Sequence, residues 1–360
     1  MPSLYVVISA HGYGHLSQIT PVINGLHARV ANLQVTVQTE IPRPLIEKRL
    51  SCPFDQVEHT ADIGMLMAGP TVICWEDSLH AYQAFHRDWD GQMRQQRAIF
   101  DARRPDLLLT DIPYLPIVAA RESGIPAVAY SSLNWVDILE VNSAIASQMR
   151  PELAMMRDAY QQAACFIQPE PSMPMSWLEN RRPVGPVMLV GENRRTDLDA
   201  DLGLAQGDKL VVVSLGGIPL DSPLANWPQL PGVHWIIADS PTVQRGDIHR
   251  WDESRYRFID MVASADLVIT KPGYGMFTEI AAVGVPTLNI ARADWGESAV
   301  LEAWLGRHVA LKTVPLAQLL GGDVADEVSA LLQAQRGIPV PPSGIDEAVE
   351  LLLPLLPAAS

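Results

Sequence analysis

Apolar residues fall in short blocks along this chain, and the blocks alternate with helical periodicity. Leu4–Ala10 (LYVVISA) is a β-branched run of the kind found in strands buried on both faces. His11-Gly12-Tyr13-Gly14-His15 breaks it, and Leu16, Ile19, Ile23, Leu26 and Val30 then recur at spacings of three and four, one face of a helix. Ser17 is the expected N-cap, which puts Pro21 in or just past the first turn. Leu33–Thr39, Asp106–Asp111 (DLLLTD) and Ala127–Ser131 read as further strands, and Tyr82–Ala102 and residues 143–164 as helical. Met149, Met155 and Met156 in the last stretch read as core filler.

Five prolines between Pro169 and Pro186, followed by the charged stretch Glu192–Asp208, predict a linker. The plan then repeats. Lys209–Leu215 (KLVVVSL), Val233–Ala238, Leu267–Thr270 and Thr287–Ala291 read as strands; glycines follow the first and third, and a helix runs on through Glu279 and Ala282. Strands alternating with helices predict an α/β protein with doubly wound parallel sheets. The expected division is residues 1–182, a linker at 183–208, and residues 209–360.

Composition narrows the function. The 360 residues carry a net charge of −15, and 48% of them are apolar. Two ordinary cores are affordable, and non-specific nucleic-acid binding, which needs surplus Lys and Arg, is excluded. Three cysteines (Cys52, Cys74 and Cys165) make neither a disulfide framework nor a zinc motif, so buried free thiols in a reducing compartment are expected. The start MPSLYVVISAHG shows no basic leader, and no run is long enough to span a membrane. A soluble cytoplasmic protein is the expectation; peripheral membrane contact stays open.

Ligands of parallel α/β sheets sit at the carboxyl ends of strands. Three turns there carry candidate chemistry. In the first, glycines clear space and His15 stands at a helix start, either as a base for a hydroxyl or as a turn-stabilising histidine. In the second, Asp111 ends a buried strand, either as the orienter of His15 or as a capping residue. In the third, Gly273 and Gly275 open a helix whose free N–H groups suit phosphate, and Glu279 suits a ribose diol. Lys271 precedes these glycines, as a phosphate contact or a solvated side chain. Asp197-x-Asp199-x-Asp201 reads as a solvated loop and not a metal site; no metal and no cofactor are expected. His80, His86, Trp89 and Trp135 line an acceptor cleft or belong to core and surface.

The stretch Ser264–Ile290 (SADLVITKPGYGMFTEIAAVGVPTLNI) resembles the donor-nucleotide signature of the GT-B glycosyltransferases, such as the lipid-II-forming N-acetylglucosaminyltransferase and the plant and macrolide UDP-glycosyltransferases. Gly14-His15-Leu16 is similar to the Gly-His-Ile turn of that superfamily, Val184-Gly185-Pro186 to its interdomain connection, and Val213–Gly217 to its phosphate loop. The chain also resembles the glycosyltransferase-like part of plant arabinokinases around Ile269–Glu279. The resemblance implies two Rossmann-like domains facing a cleft, with the last helix, Ile345–Leu356, crossing back to the first. It implies an inverting transferase, independent of metal, that moves a hexosyl or N-acetylhexosaminyl group from a UDP-linked sugar to a hydroxyl acceptor. His15 then matches the base and Asp111 its partner. Gly14, Gly216, Gly217, Gly273, Gly275 and Thr278 match the ligand-facing turns, Glu279 the ribose acid, and Met261 and Val262 the backbone hold on the base. Many members carry Asp-Gln for donor-sugar hydroxyls where this chain has Asp294-Trp295, which leaves the sugar open and offers an aromatic face. A nucleotide-sugar-binding module without transfer, and an epimerase or hydrolase of the nucleotide sugar, are the alternative readings.

Overall fold

The computed structural model describes residues 1–69, 71–215, 226–237 and 245–357. Two parallel sheets organise them. The first contains β1 (Ser3–Ile8), β2 (Gln34–Gln38), β3 (Asp55–Val57), β4 (Leu107–Asp111), β5 (Ala127–Tyr130), β6 (Cys165–Pro169) and β7 (Arg181–Val184), in the order β3-β2-β1-β4-β5-β6-β7. The second contains β8 (Lys209–Ser214), β9 (Val233–Ile237), β10 (Ile248–Arg250), β11 (Leu267–Thr270), β12 (Thr287–Ile290) and β13 (Leu311–Val314), in the order β10-β9-β8-β11-β12-β13. β1, β4, β5, β8, β11 and β12 are buried along almost their whole length, which is why they read as unbroken apolar runs.

In each sheet the strand order reverses once, between β1 and β4 and between β8 and β11, where Ile8 lies opposite Asp111 and Ser214 opposite Thr270. Crossovers leave in opposite directions at such a point and open a crevice at the strand ends. His11, His15 and Asp111 stand at the first crevice, and Lys271 and Gly273 at the second.

The first helix runs from Gly14 to Arg29, so Ser17 lies inside it, with its hydroxyl donated to the Tyr13 carbonyl, and does not cap it. Pro21 is therefore interior to the helix. Met149 and Met156 are core residues, whereas Met155 is exposed. The expected linker is more ordered than its composition suggests: it holds the end of β7 and a helix at Arg195–Leu202. Asp197, Asp199 and Asp201 pair there with Arg194, Arg195 and Arg255, so the acidic run is an ion-paired helix.

The helix Gly344–Leu352 packs on the Gly14–Arg29 helix, with Ala348, Val349 and Leu352 fully buried beside Leu16, Ile19 and Ile23. Gly25 makes the approach close, since a Cβ there would lie 3.1 Å from Ile345. The chain's end thus straps its second half to its first. No helix among the described residues is long and apolar enough to cross a membrane. Cys52, Cys74 and Cys165 are free, the first and last buried.

Candidate functional site

The site forms where the two crevices face each other. His15, in the first turn of its helix, places Nδ1 2.9 Å from Oδ1 of Asp111. The carboxylate can only accept, so Nδ1 carries the proton and Nε2 keeps its lone pair. Burial disfavours the charged imidazole, but Asp111, helped by Asp62 and Glu297, outweighs it and raises the His15 pKa above 6.5. Asp111 is fully buried, and its Oδ2 has no partner among the described residues.

Trp135 opens the helix Trp135–Glu140 and holds both histidines. Its ring lies 5.7 Å from that of His15 and 5.4 Å from that of His11, and its Nε1 donates to Asp62 at 2.9 Å. Nδ1 of His11 accepts from the Met65 N–H at 3.2 Å. Gly64 permits this: its φ is +64°, and a Cβ there would come within 2.7 Å of the His11 Cβ. Burial first, then the positive charges of His15, Arg292 and Lys271, push the His11 pKa down to about 3, so it stays neutral.

The loop after β12 closes over this set from the second half. Trp295 stacks on His11, with centroids 5.4 Å apart and planes 12° apart, and its ring also carries the Arg292 guanidinium at 4.0 Å. Its face is therefore occupied and is no open platform for a sugar or base, contrary to the sequence expectation. Asp294 accepts from the Ile73 N–H at 3.2 Å. Glu297, buried, accepts from the Ser132 hydroxyl, which in turn accepts from Gln18 at 2.7 Å. Burial raises the Glu297 pKa.

In the second half, Tyr274–Val283 is a ten-residue helix whose first N–H groups have no intrahelical partner. Nothing lies within 4 Å of the position a Cβ would take at Gly273 or Gly14, so both face open space. Gly275 differs: a Cβ there would lie 2.6 Å from the Ser17 Cβ, so this glycine serves helix–helix packing across the cleft and not space for a diphosphate. Thr278 is fully buried, with its hydroxyl donated to the Tyr274 carbonyl at 3.0 Å; it braces the turn and does not reach out to phosphate. Met261 and Val262 are buried in the helix Phe258–Ser264, and the Met261 N–H bonds to the Arg257 carbonyl. Their backbones are committed to that helix and do not present groups to a base. Glu279 is buried and bonded to Arg49 of the first half at 2.9 Å. Gly216 and Gly217 lie outside the described residues.

Of the acceptor-side candidates, only Trp135 joins the site. His80 is exposed, and His86 and Trp89 stack on each other and on Tyr114 within a separate aromatic cluster. Sequence reasoning missed Asp62, Arg292, Glu297, Ser132, Gln18 and Arg49. All but Gln18, which lies within the first helix, stand in loops or on helix flanks with no motif around them; the one available signal was the Asp294-Trp295-Gly296-Glu297 departure, whose acid takes a buried place beside the site. Among the described residues, no cluster of His, Cys, Asp and Glu has the makings of a metal centre.

No known family profile matches the chain. The L-arabinokinase of Arabidopsis thaliana is 21% identical over 303 residues, which cover 83% of this chain and 29% of that protein; the chain spans under a third of this relative's length. A crystal structure of the glycosyltransferase of kitacinnamycin superposes with a TM-score of 0.67 at 18% identity, over 99% of this chain and 100% of that one. UGT2 of Phytolacca americana, complexed with UDP-2-fluoro-glucose and pterostilbene, gives 0.61 at 15% identity over 99% and 94%. A putative UDP-N-acetylglucosamine 2-epimerase from Listeria monocytogenes gives 0.57 at 13% over 98% and 94%. The two facing parallel sheets and these superpositions establish the GT-B fold of glycosyltransferases for this chain.

Proposed function

We propose that the protein is an inverting glycosyltransferase that moves a sugar from a nucleoside diphosphate, UDP in our reading, to a hydroxyl acceptor. The carrying observation is the buried His15–Asp111 pair at one switch point, opposite a helix start with free N–H groups at the other. Nε2 of His15 takes the acceptor's proton as the oxygen attacks the anomeric carbon, and Asp111 stabilises the imidazolium that forms. The bond to the diphosphate breaks on the opposite face. The charge that develops on the leaving oxygen is met by the N–H groups of Tyr274, Gly275 and Met276 and by Lys271, which needs no metal. Glu279 binds the ribose once Arg49 has given way. Donor entry therefore requires the halves to part, and the contacts of Trp295, Asp294 and Glu297 with the first half are the ones exchanged for substrate. The free thiols fit a reducing compartment, and we place the activity in the cytoplasm.

A second reading is a nucleotide-sugar epimerase or hydrolase, favoured by the extra buried acids Asp62 and Glu297 near His15. Nucleoside diphosphate release from a panel of nucleotide sugars, with and without hydroxyl acceptors, separates the two. Acceptor-dependent release supports transfer, release without acceptor supports hydrolysis, and binding without release supports a module that carries no chemistry.

A further inference from the structure

The second half brings two cations to the ends of adjacent strands. Lys271 follows β11, and Arg292 follows β12 by two residues. Neither has an ion-pair partner among the described residues. Arg292 is only 7% exposed. Its Nε has no hydrogen-bond partner, an Nη2 contact of 3.7 Å to the Met67 sulfur is the guanidinium's one hydrogen bond among the described residues, and its face lies on the Trp295 ring at 4.0 Å. A thioether is a weak acceptor, and an aromatic face meets the charge without using the N–H donors, so the guanidinium's donor fork is left largely unused. Asp294 and Glu297 lie near enough to favour its charge, but neither reaches it with a hydrogen bond: Asp294 accepts from the Ile73 N–H and Glu297 from the Ser132 hydroxyl. Burial holds Arg292 down to about 10, and burial together with Arg292 holds Lys271 down to about 8. A buried guanidinium whose donors go unmatched is costly, and an anionic ligand in direct contact removes that cost.

The two cations have different stations. Lys271 lies two residues before Gly273 and the free N–H groups of the helix start, where a diphosphate belongs under the transferase reading. Arg292 lies on the ring of Trp295, which stacks on His11; His11 meets Trp135, and Trp135 meets His15. Arg292 thus belongs to the same contiguous aromatic wall as the base, while Lys271 marks the diphosphate end, and the transferred group must sit against that wall. We propose that Arg292 is a specificity-determining residue that receives a carboxylate on the transferred sugar, so that the donor is a nucleoside-diphosphate uronic acid or a similarly carboxylated sugar. The planar guanidinium suits a carboxylate in two-point contact, and the Met67 sulfur is the group it displaces. This rests on the glycosyl-transfer reading and adds the class of sugar to it.

Calorimetric titration of the full chain with UDP, UDP-glucose and UDP-glucuronate tests it. Wild type is expected to bind UDP-glucuronate at least about tenfold more tightly than UDP-glucose, the scale of one charge-assisted contact. Arg292→Gln should erase that preference while UDP itself still binds as in wild type, and Arg292→Lys should keep part of it. Equal wild-type affinity for the two sugars overturns the inference without any variant and leaves the nucleotide-sugar reading standing. An Arg292→Gln protein that loses UDP and UDP-glucuronate by the same factor also overturns it, because Arg292 then serves the phosphates. Binding of none of the three overturns the UDP-sugar reading and this inference together.

Discussion

Replacing Asp111 by Asn tests the proposed base at the residue that orients it. The side chain keeps its size and one hydrogen-bonding oxygen, but the charge 2.9 Å from the His15 ring is lost. Burial opposes a charged His15 and Asp111 is the largest force in its favour, so the variant's imidazole titrates lower than the wild type's. The amide also offers His15 either an acceptor or a donor. In the second orientation the proton moves to Nε2, and the lone pair that takes the acceptor's proton is gone. The loss expected is the share general-base catalysis contributes, about 10²–10⁴ in kcat/KM. The new Nδ2 occupies the buried place where Oδ2 already lacks a partner, which costs about 1–3 kcal/mol of stability and leaves the protein folded. The assay is acceptor-dependent nucleoside diphosphate release from pH 5 to 9, alongside a denaturant titration. In wild type the base must be neutral, so activity falls as pH drops through an apparent pKa above 6.5 that belongs to the pair. In Asp111→Asn the plateau drops and the acid limb moves to lower pH. A variant within about threefold of wild type, or an acid limb that stays in place, refutes the role of Asp111.

Gly275→Ala should push the two helices apart at Ser17, at a cost of about 1–3 kcal/mol to the closed form, and Ser17→Gly should restore stability; additive losses in the double mutant count against that contact. Glu279→Ala should weaken nucleotide binding about tenfold or more in a calorimetric titration, and unchanged affinity shows that the ribose is held elsewhere. His11 titrates near pH 6.5 in the unfolded chain and at about 3 in the folded one, so folding loses up to about 1.4 kcal/mol per pH unit below 6.5. His15 acts with the opposite sign, contributing stability below pH 6.5 that is lost as pH rises through its raised folded value. It is common to both proteins when His11→Asn is compared with wild type. His11→Asn should therefore flatten the acid limb of the denaturation midpoint, and an unaltered limb contradicts the burial of His11 as a neutral ring.

The fold was legible where two-sided burial comes with an unbroken apolar run; β6 (CFIQP) is as fully buried but carries Gln168 and Pro169 and was not read as a strand. β1, β4, β8 and β11 announce themselves as apolar runs because both faces are covered. β3 (DQV), β7 (RRPV), β10 (IHR) and β13 (LKTV) did not, because each is short, lies at a sheet edge and keeps exposed or half-exposed positions. Asp197–Asp201 read as a loop because its helical order depends on arginines at 194, 195 and 255, the last remote in sequence. The pairing of His15 with Asp111 was within reach, since Asp111 ends one strand of the switch point and His15 opens the helix that leaves the other. Asp62 and Glu297 were not, since Trp135 and Ser132 hold them through contacts that span 73 and 165 positions. Gly275 and Trp295 misled for one reason: in the closed form the partner each meets is the other half of the chain, and local spacing does not report that.

The most direct test of the account compares wild type with His15→Ala in acceptor-dependent nucleoside diphosphate release, with nucleotide affinity measured on both proteins. The account predicts that the variant binds the nucleotide as wild type does and loses about 10²-fold or more of the acceptor-dependent rate. A His15→Ala protein that still transfers at the wild-type rate contradicts it.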